Sequence, residues 1–346
     1  MWSTVGHDAV VRSLQTSLHQ GRASHAYLFV GPKGAGKAHL AFDLAQALNC
    51  TSADKPCGTC GPCKRIRGGR HADVQVIGVQ PDRKLISIDQ VAELQQSAGL
   101  QAYEGGTRVF IIDGADLLSQ DASNRFLKTL EEPPDKVCLV LLAVNEETLP
   151  ATMVSRCRLV HLRPVPREMI ALHLENSQEV EPERARLLAS FADGSIGWAV
   201  QAALDAKMVD DREVKIEQIV ELARLPVHDR LVLSAGLAED FSRKRDSVYA
   251  WLSLLGQFWR DVLLAQTGQD AAVINADRLD VLRSSGNGLT VGEIALAVRR
   301  SQETLEQLEK NINVRLALDV LMLDLPRVVE QSSLASSLKV LAQKGN

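Results

Sequence analysis

The chain of 346 residues is long enough for two or three domains, and its hydrophobic share of 45% is sufficient to form buried cores. A net charge of −4 gives it no overall basic character, which argues against a stand-alone nucleic-acid binder. No apolar run approaches the roughly 20 residues that span a bilayer, and the first residues show no charged segment followed by an apolar one. We therefore expect a soluble, cytoplasmic protein.

A strand, a glycine-rich loop and a helix are predicted in succession near the N-terminus. The apolar run Tyr27–Val30 leads into Gly31–Lys37, and helix-favouring residues follow from Ala41 to Leu48. The loop has the G-x-x-x-x-G-K pattern, in which backbone N–H groups and the lysine ammonium hold phosphate oxygens. Ala38 occupies the position where a magnesium-binding hydroxyl is expected. The sequence thus predicts a nucleotide site at Gly31, Gly34, Gly36 and Lys37. A glycine-rich turn with an incidental lysine is the alternative.

Four of the six cysteines lie close together in the sequence, with the spacing C-x6-C-x2-C-x2-C. This spacing suits a tetrahedral zinc ion, because each C-x2-C turn presents two thiolates to one metal. The four predicted ligands leave no open coordination position and so indicate a structural ion: Cys50, Cys57, Cys60 and Cys63. Free thiols in a loop are the alternative. His71 is nearby and is interpreted as a packing or surface histidine.

Basic residues around the cysteines raise a further alternative, a zinc-dependent nucleic-acid binder. They are Lys55, Lys64, Arg65, Arg67 and Arg70. A solvated basic face is the simpler interpretation, and a steep salt dependence of DNA binding by the isolated chain would argue against it.

A second apolar strand is predicted from Arg108 to Asp113. In a P-loop protein the carboxylate that ends such a strand holds magnesium or its water, so Asp113 joins the predicted nucleotide site. The next residue is Gly114, where a hydrolysing enzyme needs a glutamate to orient the attacking water. Asp116 follows two residues later and is interpreted as a cap or surface residue.

The order of predicted elements divides the chain into regions. Strand and helix patterns alternate through residue 163, which predicts an α/β fold with a parallel sheet covered on both faces. Residues 1–163 would form this P-loop domain, with the cysteine module (50–63) inserted in it. Short helices are predicted for a lid domain (164–205), and helices throughout an all-α domain (206–330). Residues 331–346 are predicted to be a short helix or a frayed tail.

Five features spread over the chain carry a family resemblance. They are the cysteine module and the segments His25–Phe29, Asn124–Pro134, Ser155–Cys157 and Asn313–Leu318. Each alone is a weak signal. In this order they resemble the AAA+ clamp-loader subunits of bacterial DNA polymerase III, over about residues 5 to 330.

Within that family, three departures favour the delta-prime type over the ATP-hydrolysing gamma/tau type. The gamma/tau pattern has Thr after the P-loop lysine, Glu after the second-strand aspartate and Arg in the turn that opens a lid helix. This chain has Ala38, Gly114 and Gly197 at those places. The changes remove a metal ligand, a water-orienting carboxylate and a cation that senses the γ-phosphate. An active gamma/tau-like ATPase is the alternative, since Lys37 and Asp113 are intact.

The resemblance implies a hetero-pentamer with gamma/tau and delta subunits, held by a helical collar, that loads the sliding clamp onto primed DNA. It implies a non-hydrolysing accessory subunit of the polymerase, with a structural Zn²⁺ and at most weak binding of ATP or ADP. It also implies that Arg156, from the triplet Ser155–Cys157, serves as an arginine finger for ATP on a neighbouring gamma/tau subunit. The alternative is that Arg156 pairs with a local carboxylate and fixes its loop.

Overall fold

The structure is a computed structural model that describes residues 2–81, 83–104, 106–309 and 312–328. Contacts divide the chain into two compact units, Met1–Leu204 and Asp205–Asn346. The finer division at residue 163 stays a prediction, and the predicted tail 331–346 lies outside the described residues. None of the helices in the described ranges combines the length and the apolar character that crossing a bilayer requires.

The first unit contains a parallel sheet with the strands β1 (Ala26–Val30), β2 (Val74–Ile77), β3 (Arg108–Asp113), β4 (Val137–Ala143) and β5 (Arg158–His161). Within the described residues their order is β2-β3-β4-β1-β5, and all neighbouring strands pair in parallel. Every residue of β1 and β4 is buried, which explains their unbroken apolar sequences. The predicted parallel sheet is therefore confirmed.

Helices cover both faces of the sheet: α1 (Asp8–His19), α2 (Lys37–Asn49), α3 (Gly61–Arg67), α4 (Ile88–Ala98), α5 (Gln120–Glu131) and α6 (Ala151–Val154). Side chains of a strand point alternately to the two faces, so consecutive residues enter different cores. Tyr27 and Phe29 pack in the core formed with α1, α2 and α3. Leu28 and Phe110 pack in the other core, with α4, α5 and α6.

A small helical region follows the sheet within the same unit, with α7 (Arg167–Gln178), α8 (Pro182–Phe191) and α9 (Ile196–Leu204). Each of these helices packs against the other two. The Val165 N–H donates to the Gly194 carbonyl (3.0 Å), which joins the start of this region to the turn before α9. This region corresponds to the short helices predicted for residues 164–205, and we call it the lid.

Two helices of the first unit differ from what the sequence indicates. α2 begins at Lys37 rather than near Ala41, because the phosphate loop runs directly into its first turn. The cysteine spacing indicates tight turns between the ligands, and the structure adds the helix α3 (Gly61–Arg67) at the last of them. Pro62 lies in the first turn of this helix, where a missing backbone N–H costs nothing.

The second unit is helical, as predicted, with α10 (Lys207–Leu222), α11 (Val227–Arg243), α12 (Arg245–Gln266), α13 (Leu279–Gly286), α14 (Val291–Glu309) and α15 (Val314–Asp324). α12 runs through the middle and packs against α10, α11, α13 and α14. Its Trp251, Phe258 and Trp259 are buried and anchor the core. Large aromatic side chains of this kind supply much of the apolar area that such a core buries.

A buried arginine links the two ends of this unit. Arg230 on α11 is 2% exposed. Its guanidinium donates to the carbonyl oxygens of Leu325 (2.7 Å) and Pro326 (2.9 Å), just after α15. It also donates to those of Ala223 (3.2 Å) and Leu225 (3.1 Å), just after α10. A charged donor that satisfies several buried carbonyls stabilises the fold, because those carbonyls would otherwise lack partners.

Replacing Arg230 by methionine should lower the local unfolding free energy of α11 and α15 by about 2–4 kcal/mol, since the buried carbonyls lose their donor while apolar volume is kept. Amide hydrogen exchange of the full chain measures this change. The matched control is Arg243→Met at the exposed end of α11, with an expected change within about 0.5 kcal/mol. Equal protection in the two variants would contradict the anchoring role.

Candidate functional site

The phosphate-binding loop lies at the carboxyl end of β1, between its neighbours β4 and β5. The sheet changes its order of strands at this point, and ligands of open α/β sheets bind there. Gly36 is the N-cap of α2, so the positive end of the helix is directed at the loop. Lys37 Nζ donates to the carbonyl oxygens of Gly31 (2.5 Å) and Pro32 (2.9 Å). The loop and its lysine thus have the predicted strand–loop–helix setting.

The lid rests directly on this loop. The Gly197 N–H, at the start of α9, donates to the Gly34 carbonyl (3.0 Å). Gly34 has φ +76°, and a Cβ there would lie 1.8 Å from Ser195 Oγ, so glycine alone fits. On its other side the loop is held by His7, whose Nε2 donates to the Ala35 carbonyl (2.9 Å). No motif in the sequence marks this histidine contact, which joins residues far apart in the chain.

A cavity of about 1000 Å³ opens beside the loop. Its volume is at the upper end of the range of about 300–1000 Å³ that small-molecule sites occupy. The wall includes residues from the loop, the sheet edge and the lid, among them Lys33, Lys37, Asp113, His173 and Gln201. The N-terminal segment closes one side, because the buried carboxylate of Asp43 accepts the N–H groups of Ser3 (2.8 Å) and Thr4 (2.9 Å).

Two carboxylates share this cavity with Lys37. Asp113 ends β3 as predicted and is exposed. Asp116, interpreted from the sequence as a cap or surface residue, also lies on the cavity wall. Burial lowers the pKa of Lys37, and the charges of Asp116 and Asp113 oppose that shift. Gly114 between them has φ +83°, a region in which a glutamate side chain would be strained.

The four cysteines predicted as metal ligands converge, with all four sulfur atoms within 4.8 Å of one another. Cys50 Sγ lies 3.9 Å from Cys60 Sγ. That separation is close to the roughly 3.8 Å that Zn–S bonds of about 2.3 Å produce at tetrahedral angles. Cys57 and Cys63 complete the set, which could therefore hold a metal ion. His71 is buried nearby, and its Nδ1 accepts a backbone N–H (3.1 Å), so it packs rather than joins the sulfur cluster.

The cysteines differ in their tendency to form thiolates. Hydrogen bonds from the Thr59 hydroxyl and the Cys60 N–H lower the pKa of Cys57 to about 5. Burial raises the pKa of Cys63 to about 12. A coordinated cation deprotonates a thiol that would otherwise stay neutral. The donor set therefore fits a divalent ion, which would compensate the charge of several thiolates in one place.

Arg156 lies in the turn between α6 and β5, at the edge of the sheet. Its Nη2 forms an ion pair with Oε1 of Glu131 (2.7 Å), and its Nη1 donates to the Thr152 carbonyl (2.8 Å). The Arg156 side chain is 35% exposed and that of Glu131 49%. The local ion pair expected by the alternative interpretation is therefore present, and the guanidinium stays at the surface.

Comparisons with known proteins find relatives among the subunits of DNA polymerase III. A family model described as "DNA polymerase III, delta subunit" matches residues 6–166. DNA polymerase III subunit delta' of Bacillus subtilis is 30% identical over 319 residues, which cover 91% of this chain and 94% of that protein. DNA polymerase III subunit tau of Escherichia coli is 34% identical over 222 residues, 62% of this chain and 34% of that protein. A solved gamma subunit-related protein of Thermotoga maritima has a TM-score of 0.43 at 18% identity, covering 89% of this chain and 97% of that chain.

The parallel sheet, the phosphate loop and the helical lid define a P-loop protein of the AAA+ class. The chain belongs to the family of DNA polymerase III clamp-loader subunits that includes delta prime, gamma and tau. The match to delta prime extends over nearly the whole chain, whereas the chain spans about a third of the length of the tau proteins it matches. The family predicted from the sequence is therefore confirmed.

We expect the purified chain to carry one tightly held metal ion, and Cys57→Ser to lose it. Structural zinc sites contribute about 10–16 kcal/mol of apparent binding free energy in small peptides, so loss should also expose residues 51–60 to proteolysis. Elemental analysis and limited proteolysis measure the two effects. Cys157→Ser, outside the cluster, is the control and should keep the metal. If Cys57→Ser retained one metal ion per chain, the assignment of Cys57 as a metal ligand would be wrong.

Proposed function

We propose that the chain is a non-hydrolysing, delta-prime-type subunit of the DNA polymerase III clamp loader, active in the cytoplasm. It helps to load the sliding clamp onto primed DNA as a member of a hetero-pentamer with gamma/tau and delta subunits. Its second, helical unit serves in the collar that holds the subunits together. The observation that carries the proposal is that Ala38, Gly114 and Gly197, at three positions where hydrolysis needs other residues, line the cavity beside the phosphate loop.

The three positions explain why hydrolysis is not expected. Ala38 offers no hydroxyl to magnesium, and Gly114 offers no carboxylate to the attacking water. Gly197 offers no cation to the γ-phosphate, and its backbone instead contacts Gly34 of the loop. Phosphoryl transfer depends on such positioning and on charge stabilisation, so the loss of all three leaves little catalysis.

Weak nucleotide binding is compatible with the remaining groups. Lys37, the N-terminus of α2 and Asp113 are in place around the cavity. The degenerate site for ATP or ADP that we propose consists of Gly31, Gly34, Gly36, Lys37 and Asp113. The four-cysteine set holds a Zn²⁺ ion in this proposal, because four thiolates suit zinc and leave no open position for chemistry.

Arg156 is the proposed contribution of this chain to catalysis elsewhere. It precedes β5, an edge strand, so its guanidinium lies where another subunit can approach the sheet. The guanidinium of arginine is planar and permanently charged, and its paired N–H groups match the oxygens of a phosphate. Arginine fingers use this match when they act in trans. We propose that Arg156 reaches ATP on a neighbouring gamma/tau subunit.

The chain alone should show no magnesium-dependent ATP turnover above background. Any binding of ADP or ATP should be weak and should change little when EDTA replaces magnesium, because Ala38 removes one of two protein groups that hold the metal and leaves Asp113. Calorimetric titration and a phosphate-release assay measure these properties, and Lys37→Ala should weaken whatever binding is seen. Robust turnover abolished by Lys37→Ala would instead support the gamma/tau-like ATPase.

In a clamp loader reconstituted with gamma/tau and delta subunits, Arg156→Ala should lower DNA-stimulated ATP turnover. Loss of an arginine finger costs roughly 10³–10⁵ in rate at the site it serves. The control is Arg163→Ala, an exposed arginine just after β5, which should leave turnover unchanged. Unchanged turnover with Arg156→Ala in an assembled complex would refute the finger. Loading of the sliding clamp on primed DNA, measured in the same complex, tests the wider function.

A further inference from the structure

We propose that Glu131 is a positioning residue for Arg156, holding the guanidinium in a resting position from which it must be released to reach a phosphate. This inference rests on the proposed role of Arg156 and adds a restraint on it. The ion pair joins the end of α5 to the turn after α6, two segments whose helices pack against each other.

The resting contacts of Arg156 compete with a phosphate for the same guanidinium. A guanidinium binds phosphate best when two parallel N–H groups reach two oxygens. In this structure both terminal nitrogens of Arg156 are already engaged, Nη2 with Glu131 (2.7 Å) and Nη1 with the Thr152 carbonyl (2.8 Å). These contacts fix the direction of the guanidinium and offset part of its charge, so Glu131 competes with a phosphate for Arg156.

The position of Glu131 favours a lasting but reversible contact. It is the last residue of α5, and a carboxylate is disfavoured at the negative end of a helix unless a cation compensates it. Pro133 and Pro134 follow and end the helix, which fixes the place from which the carboxylate reaches out. Both side chains are partly exposed, so the pair is weak enough for a more highly charged triphosphate to displace it.

The test uses the reconstituted clamp loader with Glu131→Gln, which keeps the side-chain shape and removes the charge. ATP turnover without DNA should rise about two- to fivefold, the scale that one exposed ion pair allows. The difference in ATP turnover between the variant complex and the unmodified complex should disappear as the salt concentration is raised. Salt screens the Glu131–Arg156 ion pair and so weakens the restraint in the unmodified chain. Glu132→Gln is the matched control, with the same charge change one residue along and no expected rise.

The double variant Glu131→Gln/Arg156→Ala separates this inference from the function it rests on. If Glu131 acts through Arg156, the double variant should equal Arg156→Ala alone. Two results would overturn the restraint and leave the finger standing. One is a rise in turnover that persists in the double variant. The other is unchanged or lower turnover with Glu131→Gln while Arg156→Ala still lowers turnover. Unchanged turnover with Arg156→Ala would overturn both.

Discussion

One backbone hydrogen bond, from the Gly197 N–H to the Gly34 carbonyl, joins the lid to the phosphate loop and sets the position of the two parts of the site. Gly34 permits this approach, because a Cβ at that position would lie 1.8 Å from Ser195 Oγ. The lid therefore contacts the loop directly through backbone groups, without the side chain of either glycine.

The two cations proposed to act on nucleotide, Lys37 and Arg156, have carboxylates near them within the chain. The ammonium of Lys37 lies in the field of Asp116 and Asp113. The guanidinium of Arg156 is paired with Glu131. A phosphate that binds either cation in the proposed way therefore competes with an internal anion. The two sites share this feature, although one is proposed to bind nucleotide weakly and the other to act on it in trans.

The sequence predicted the phosphate loop and the cysteine cluster because their residues are close in the chain and their spacing reflects local geometry. β4 could be predicted because complete burial leaves an unbroken apolar run. The contacts of His7 with Ala35 and of Asp43 with Ser3 could not, since they join residues 28 and 40 positions apart. Such pairs follow from tertiary packing, and no period or motif in a single sequence marks them.

Arg230 also ties the residues that follow α15 into the second unit. Its acceptors reach Pro326, and the Val328 N–H donates to the Ala223 carbonyl (2.9 Å) just beyond them. Chain ends are usually the places that tolerate shortening or attachment best. Here a shortened chain that stopped before Leu325 would leave a buried charge without the Leu325 and Pro326 acceptors. A tag or a fused domain that replaced the residues up to Val328 would therefore disturb the helical unit.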